Sequence, residues 1–267
     1  AAGHSIGSAA NASTRAASTR KTMRHDGRGP HDARRVEFEV GFTQNPDGSV
    51  LTRFGRTIVL CTAVVAEGVP RFRKDIGGWL TAEYQMAPGS THERSPREAA
   101  KGQLKGRTHE IQRLIGRSVR AAIDLDAFQN HTIHLDCEVL QADGGTRTAS
   151  LTGAFVALAV AVDKRIRNGS FERSPLTGTV AAISCGVVKG EVVVDLDYIE
   201  DSAAEVDANL VMTGAGEIVE IQATGEHGTL SRKQLDALLD AGTDAIARLR
   251  AAQLSALGPI AERLNLR

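Results

Sequence analysis

The chain lacks most of the features that announce a specialised protein. Among its 267 residues there are three cysteines, one tryptophan and two tyrosines. Cys61, Cys137 and Cys185 are far apart in apolar, strand-like runs, so no disulfide framework is expected; reduced, buried thiols of a cytoplasmic protein are. Aromatic residues make up 4%, too few for the stacking platform on which single-strand nucleic-acid binders lay successive bases. Trp79 and Tyr84 are accordingly read as core or interface residues. No stretch approaches the roughly 18–20 uninterrupted apolar residues of a membrane span, and no hydrophobic signal core is seen near the N-terminus, so a soluble protein with no membrane partner is expected. Net charge is absent as well, with 32 Lys+Arg against 32 Asp+Glu. Any attraction to nucleic acid must therefore be local.

What is present is apolar content of 42%, enough to bury a substantial core. A single domain is expected over residues 23–267. Residues 1–22, rich in Ala, Ser, Thr and Gly without amphipathic period, read as a disordered arm or a cloning remnant. From Val36 to Val65 strand-like runs are broken by "NPDGS" and "FGRT", which predicts antiparallel strands. Thr108–Phe128 carries apolar residues at helical spacing, and Ile133 to Val139 alternates as a half-buried strand that ends at Gln141. Ser150–Ile166 reads as a buried helix. Two hairpins follow, Val180–Val188 with Glu191–Asp197 and Ala208–Met212 with Ile218–Thr224, and Ser231 with Gln234 forms a capping box ahead of a final helix. Strands in runs separated by single long helices predict an α+β class with a mixed sheet. His131 and His134, an odd number apart on a strand, point to opposite faces and are not read as a metal pair.

The balanced charge is segregated. Arg94 to Arg120 holds eight basic residues and two acidic ones, whereas Glu191 to Asp207 holds seven acidic residues and no basic one. A basic run suits phosphates, and an acidic run suits a hard divalent cation such as Mg²⁺, so the pair points to phosphoryl or nucleotidyl chemistry. The plain alternative is two solvated faces that pair with each other.

One motif favours the chemical reading. In "DCEVLQADGGTRTASLTGAF" a strand stops at Gly144 and Gly145 and a helix follows at once. Glycines there let an anion approach backbone N–H groups near the positive end of a helix dipole. Thr146 and Thr148 add hydroxyl donors and Arg147 a planar fork suited to phosphate oxygens. Neither the nucleotide P-loop spacing nor the dinucleotide fingerprint is present.

Five ordered blocks, "RHDGR" (24–28), "GWLTAEYQMAP" (78–88), "GRTHEIQRLIGRSVRAAIDL" (106–125), "QADGGTRTASLTGA" (141–154) and "LDYIEDSAAEVDANLV" (196–211), closely resemble the ribonuclease PH family. The resemblance spans roughly Met23 to Gln253. It implies a ribosomal protein S5 domain 2-like α+β fold and a homohexameric ring built as a trimer of dimers. It implies a phosphorolytic 3′→5′ exoribonuclease that uses inorganic phosphate to trim tRNA precursors, and wider targets such as rRNA are expected with it. By the match, Gly144, Gly145, Thr146, Arg147 and Thr148 form the phosphate site, and Arg107 contacts phosphate or the terminal nucleotide. Asp201 and Asp207 hold Mg²⁺ or assist the leaving group. For Arg94 and Arg97 two readings stand side by side, contact with RNA or pairing with Glu93 and Glu98 across a subunit contact. Two departures stand out: Ala208 follows the second aspartate where relatives often carry methionine, and Gly89 stands where some carry arginine. Competing readings are a silent ring-forming RNA-binding subunit, which would lack the arginine cradle or the aspartates, a small-molecule kinase, which needs a glycine-rich ATP loop, and a two-metal hydrolytic nuclease, which needs more carboxylates.

Overall fold

The computed structural model describes residues 24–98, 102 and 104–266; the expectation for residues 1–22 lies outside them. Nine strands form two sheets. The first contains β1 (Val36–Val40), β2 (Gly48–Phe54), β3 (Thr57–Glu67), β4 (Trp79–Met86) and β5 (His131–Gln141) in the order β1-β2-β3-β5-β4. Its pairs are antiparallel except β4 with β5, which run parallel because the long helix α1 (Gly106–Arg120) lies in the crossover between them. The second sheet has β6 (Val180–Val188), β7 (Glu191–Val194), β8 (Val206–Thr213) and β9 (Ile218–Gly225) in the order β7-β6-β8-β9, all antiparallel. Both predicted hairpins are present, and the mixed α+β class holds.

Between the sheets runs α2 (Thr146–Arg167), buried along nearly its whole length from Thr148 to Asp163. A helix apolar on every side is stable only when it is enclosed, and α2 packs on β2, β3, β5 and β6. Its approach to β2 is close: a Cβ on Gly153 would lie 2.1 Å from Thr52 Oγ1. Leu151, Phe155 and Leu158 are fully buried there, each contributing about 2–3 kcal/mol of transfer free energy. The chain continues through the short α3 (Tyr198–Asp201) and closes with α4 (Arg232–Leu257), which covers β6 and β7, and α5 (Pro259–Arg263). Ser231 and Gln234 form the expected capping box.

The largest differences from the sequence expectations fall at three boundaries. α1 ends at Arg120 instead of Phe128, because Ile123 pairs with Leu176 in an isolated antiparallel bridge and Asp124 caps a 3₁₀ turn. α2 begins four residues earlier than its apolar run, at Thr146. β7 ends at Val194, before Asp195, whose backbone takes the left-handed conformation (φ 57°). Among the described residues no helix is long and apolar enough to cross a membrane.

Candidate active site

β5 ends at Gln141, and the next residue, Ala142, lines a cleft of about 680 Å³. Gly144 and Gly145 then turn the chain with φ of 72° and 64°, conformations that cost other residues strain. A Cβ on Gly144 would lie 2.6 Å from the Leu196 carbonyl oxygen, so the turn is pressed against the segment that leads from β7 to α3. Gly145 is the N-cap of α2, whose first turn carries no acidic residue. The unpartnered N–H groups and dipole of a 22-residue helix therefore open toward the cleft.

Gly144, Gly145, Thr146 and Arg147 line the cleft, as do Arg107 from the first turn of α1, Asp201 at the end of α3 and Asp207 in β8. Residues up to 100 positions apart thus meet in one space. Burial raises the pKa of Asp201, against the pull of Arg107 and Arg147. Asp207 is raised by burial and by its neighbour Asp201, again opposed by the same two arginines. These mutual influences place both cations and both carboxylates within electrostatic reach of one another.

Two of the expected site residues sit differently. Thr148 is 1% exposed and its hydroxyl donates to the Gly145 carbonyl at 3.0 Å. Three residues past the N-cap, it bonds back into the turn and offers the cleft no hydroxyl donor. Arg97 lies outside the cleft and donates to Glu138 at 3.2 Å. Arg94 is exposed on the same loop, whose residues Thr91, His92, Glu93 and Ser95 do line the cleft.

Other residues were not read from the sequence as parts of the site. Gln222 of β9 accepts a bond from Arg147 at 2.9 Å, and its own amide donates to Glu110 at 2.6 Å, so the arginine is aimed by a neutral group. Tyr84 is 4% exposed and donates its hydroxyl to Thr146 Oγ1 at 3.0 Å, leaving the threonine's hydrogen free to point elsewhere. Glu226, His227 and Asn209 also line the cleft. Only strand pairing brings β8 and β9 alongside the cradle, so no local pattern marks them.

The acidic run divides in two. Asp195 pairs with Arg34, Glu200 with Arg24, and Asp197 with His25 at 2.6 Å. Among the described residues the run does not pair with the basic segment 94–120, as the plain alternative held. His25, Asp197 and Glu200 do offer ligand atoms within 4.8 Å of one another, but Arg24 and Arg28 already neutralise those carboxylates. Asp201 and Asp207 have no ion-pair partner among the described residues.

Comparison with known proteins gives a consistent result. Profiles of the 3′ exoribonuclease family match the chain as domain 1 over residues 32–162 and domain 2 over residues 178–245. A protein named ribonuclease PH from Corynebacterium kroppenstedtii is 57% identical over 244 residues, covering 91% of this chain and 96% of the relative. A ribonuclease PH from Mycobacterium tuberculosis is 58% identical over 238 residues, covering 88% and 92%. Among solved structures, rice Rrp46 aligns with a TM-score of 0.72 at 22% identity, covering 88% of this chain and all of that one. A chain of the Archaeoglobus fulgidus exosome with RNA bound to the active site aligns with a TM-score of 0.73 at 22% identity, covering 87% and 93%.

Proposed function

The chain belongs to the ribonuclease PH family of 3′ exoribonucleases, and from that premise we propose how its cleft shortens RNA. It is a phosphate-dependent 3′→5′ exoribonuclease that processes tRNA. The observation that carries the residue assignments is the meeting, in one cleft, of an arginine-bearing helix N-terminus with two carboxylates that have no ion-pair partner among the described residues.

Inorganic phosphate binds the backbone of Gly144, Gly145 and Thr146 and the guanidinium of Arg147, while Arg107 takes the terminal phosphodiester. One oxygen of the bound phosphate attacks the phosphorus of that diester. The bond to the 3′ oxygen of the penultimate nucleotide breaks, and the last nucleotide leaves as a nucleoside diphosphate. Two anions must approach each other, and the arginines with the helix dipole offset that repulsion as charge accumulates. Holding both reactants in one cleft supplies much of the remaining acceleration.

The departing oxygen needs its charge met. An aspartic acid kept protonated by burial and by its neighbour is one source of a proton. The donor set also fits Mg²⁺: Asp201 and Asp207 are hard oxygen ligands that repel each other, and this ion is held by one or two carboxylates plus substrate oxygens. When bound it would neutralise charge on the phosphoryl oxygens. Exchange of a phosphodiester for a phosphoanhydride has little net driving force, so the enzyme also adds nucleotides when diphosphates are abundant, and rRNA ends are substrates of the same kind.

Arg94 and Arg97, on the exposed loop beside the cleft, hold RNA upstream of the reacting end. Gly89, where some relatives carry arginine, weakens that grip. A homohexamer built as a trimer of dimers belongs to the same proposal, supported by exposed Ile218 and Ile221 on the open edge of β9 and Phe72 and Ile76 near Trp79. The three buried free thiols fit a reducing, cytoplasmic location.

The test is incubation of the protein with an RNA oligonucleotide, with and without inorganic phosphate. Nucleoside diphosphates released only with phosphate are expected; monophosphates, or release indifferent to phosphate, would reject phosphorolysis.

A further inference from the structure

Beneath the cradle lies Arg34, which does not line the cleft described above and is 9% exposed. Its Nε and Nη2 donate to the two carboxylate oxygens of Asp195 at 2.9 and 2.7 Å, and its own backbone N–H donates to the same residue at 2.7 Å. The other edge of the guanidinium donates to the carbonyls of Asp143 and Gly144. A Cβ on Gly145 would stand 3.0 Å from Nη2, so the N-cap of α2 rests on this side chain. One planar group therefore touches the phosphate turn with one edge and the acidic segment with the other.

The second contact leads directly to the carboxylates. Asp195 is held in a left-handed backbone conformation, its N–H bonded to the Ser184 carbonyl at 2.6 Å. Two residues on, Asp197 caps α3, whose last residue is Asp201. A structural ion pair would be complete with Asp195 alone. Here the same fork also fixes two carbonyls of the turn that presents Arg147, a task that needs guanidinium geometry.

We infer that Arg34 is a positioning residue for phosphorolysis, setting the separation between the phosphate cradle and Asp201. The inference rests on the phosphate site proposed above. Lysine can keep a charge opposite Asp195, but its single ammonium cannot span both edges. The cradle would then settle elsewhere, and a misplacement of about 1 Å costs on the order of a hundredfold in rate.

The experiment is steady-state phosphorolysis with phosphate and RNA varied separately, on the full chain carrying Arg34→Lys. Arg165→Lys is the matched control: Arg165 Nη2 donates to Asp47 and to the Val65 carbonyl, each at 2.7 Å, a clamp of the same kind that does not line the cleft. Arg34→Lys is expected to raise the KM for inorganic phosphate and lower kcat, about 10- to 100-fold in kcat/KM, with the KM for RNA nearly unchanged. Arg165→Lys is expected to lower thermal stability and leave both KM values at wild type. A folded Arg34→Lys enzyme with wild-type phosphate KM and kcat would overturn the inference, as would an equal loss in Arg165→Lys. Should Arg34→Lys fail to fold, the isosteric Asp195→Asn carries the same expectation and the same means of rejection. An Arg147→Ala arm separates the two levels. Wild-type phosphate kinetics in that variant would reject the site itself, whereas their loss beside a normal Arg34→Lys would reject only the positioning role.

Discussion

Asp195, Asp197 and Glu200 lie within a few residues of Asp201 and Asp207, yet the fold treats the two sets in opposite ways. The first three are buried and bonded to Arg34, His25 and Arg24, all from the segment before β1. Burial alone would raise the Glu200 carboxyl, but hydrogen bonding to Arg24 and the charges of Arg24 and Arg28 hold it below its ordinary value. Asp201 and Asp207 meet arginines only across the cleft, and burial leaves both raised. The number of acids in a run therefore says little. What separates framework from chemistry is which acids the N-terminal arginines reach.

The largest effect is expected on the neutralised side. Arg24 Nε donates to Glu200 at 2.6 Å, and its two Nη atoms donate to the Val194 and Asp195 carbonyls at 2.7 and 2.9 Å. Arg24→Ala leaves Glu200 with Arg28 at 3.5 Å and is expected to lower unfolding stability by about 3 kcal/mol, near the lower end for a broken buried pair. The pH sign follows from the depressed carboxyl: its contribution is present above the ordinary glutamate value and lost as pH falls through the folded one. Denaturant melts should show the gap between wild type and variant closing on acidification. A gap independent of pH would break the contrast at Glu200.

The cleft's cationic side was legible because its signals are local. Alternation ended β5 where Gln141 stands, two glycines marked the turn, and small apolar residues marked an enclosed helix. Its supports were not. Arg34 and Asp195 are 161 positions apart and Arg24 and Glu200 are 176 apart, separations over which no periodicity carries information. "RHDGR" contributed to the family likeness without disclosing that its arginines neutralise half of the acidic run. Gln222, Tyr84 and Glu226 likewise gain their roles only from sheet register and packing. Thr148 shows the reverse: its hydroxyl bond to the N-cap carbonyl is a local preference of threonine in a helix's first turn, and it outweighed the donor role that the motif implied.

On the chemical side the same comparison predicts opposed effects on activity and stability. Asp207→Asn is expected to reduce phosphorolysis about a hundredfold, the usual scale for losing one positioned electrostatic group. It should also make the protein more stable at neutral pH. A carboxyl whose folded pKa is raised favours the native state only while protonated, and that advantage is lost as pH rises through the folded value. The stabilising effect of asparagine should therefore be small near pH 4, grow with pH and level off, the mirror image of Arg24→Ala. Thermal melts across pH, read beside activity with and without Mg²⁺, test both halves. Unchanged activity would assign Asp207 to the framework with Glu200.

The smallest expected effect asks whether an open charge can be converted into a neutralised one. Arg34 is matched by a carboxylate, whereas Arg147 is held by the neutral amide of Gln222, with Glu110 no closer than 3.9 Å. Exchanging the two acceptors as Gln222→Glu with Glu110→Gln keeps net charge and the hydrogen bond between them, reversed in direction. It moves a carboxylate onto the guanidinium, where, under the proposed phosphate assignment, it would compete with inorganic phosphate for the same fork. Because Arg147 is partly exposed to the cleft, the new pair should add little stability. The competition should raise the KM for phosphate about tenfold, equivalent to about 1.4 kcal/mol, with a smaller change in kcat. An unchanged phosphate KM would mean that Arg147 does not grip the attacking anion, and that its neutral partner is incidental.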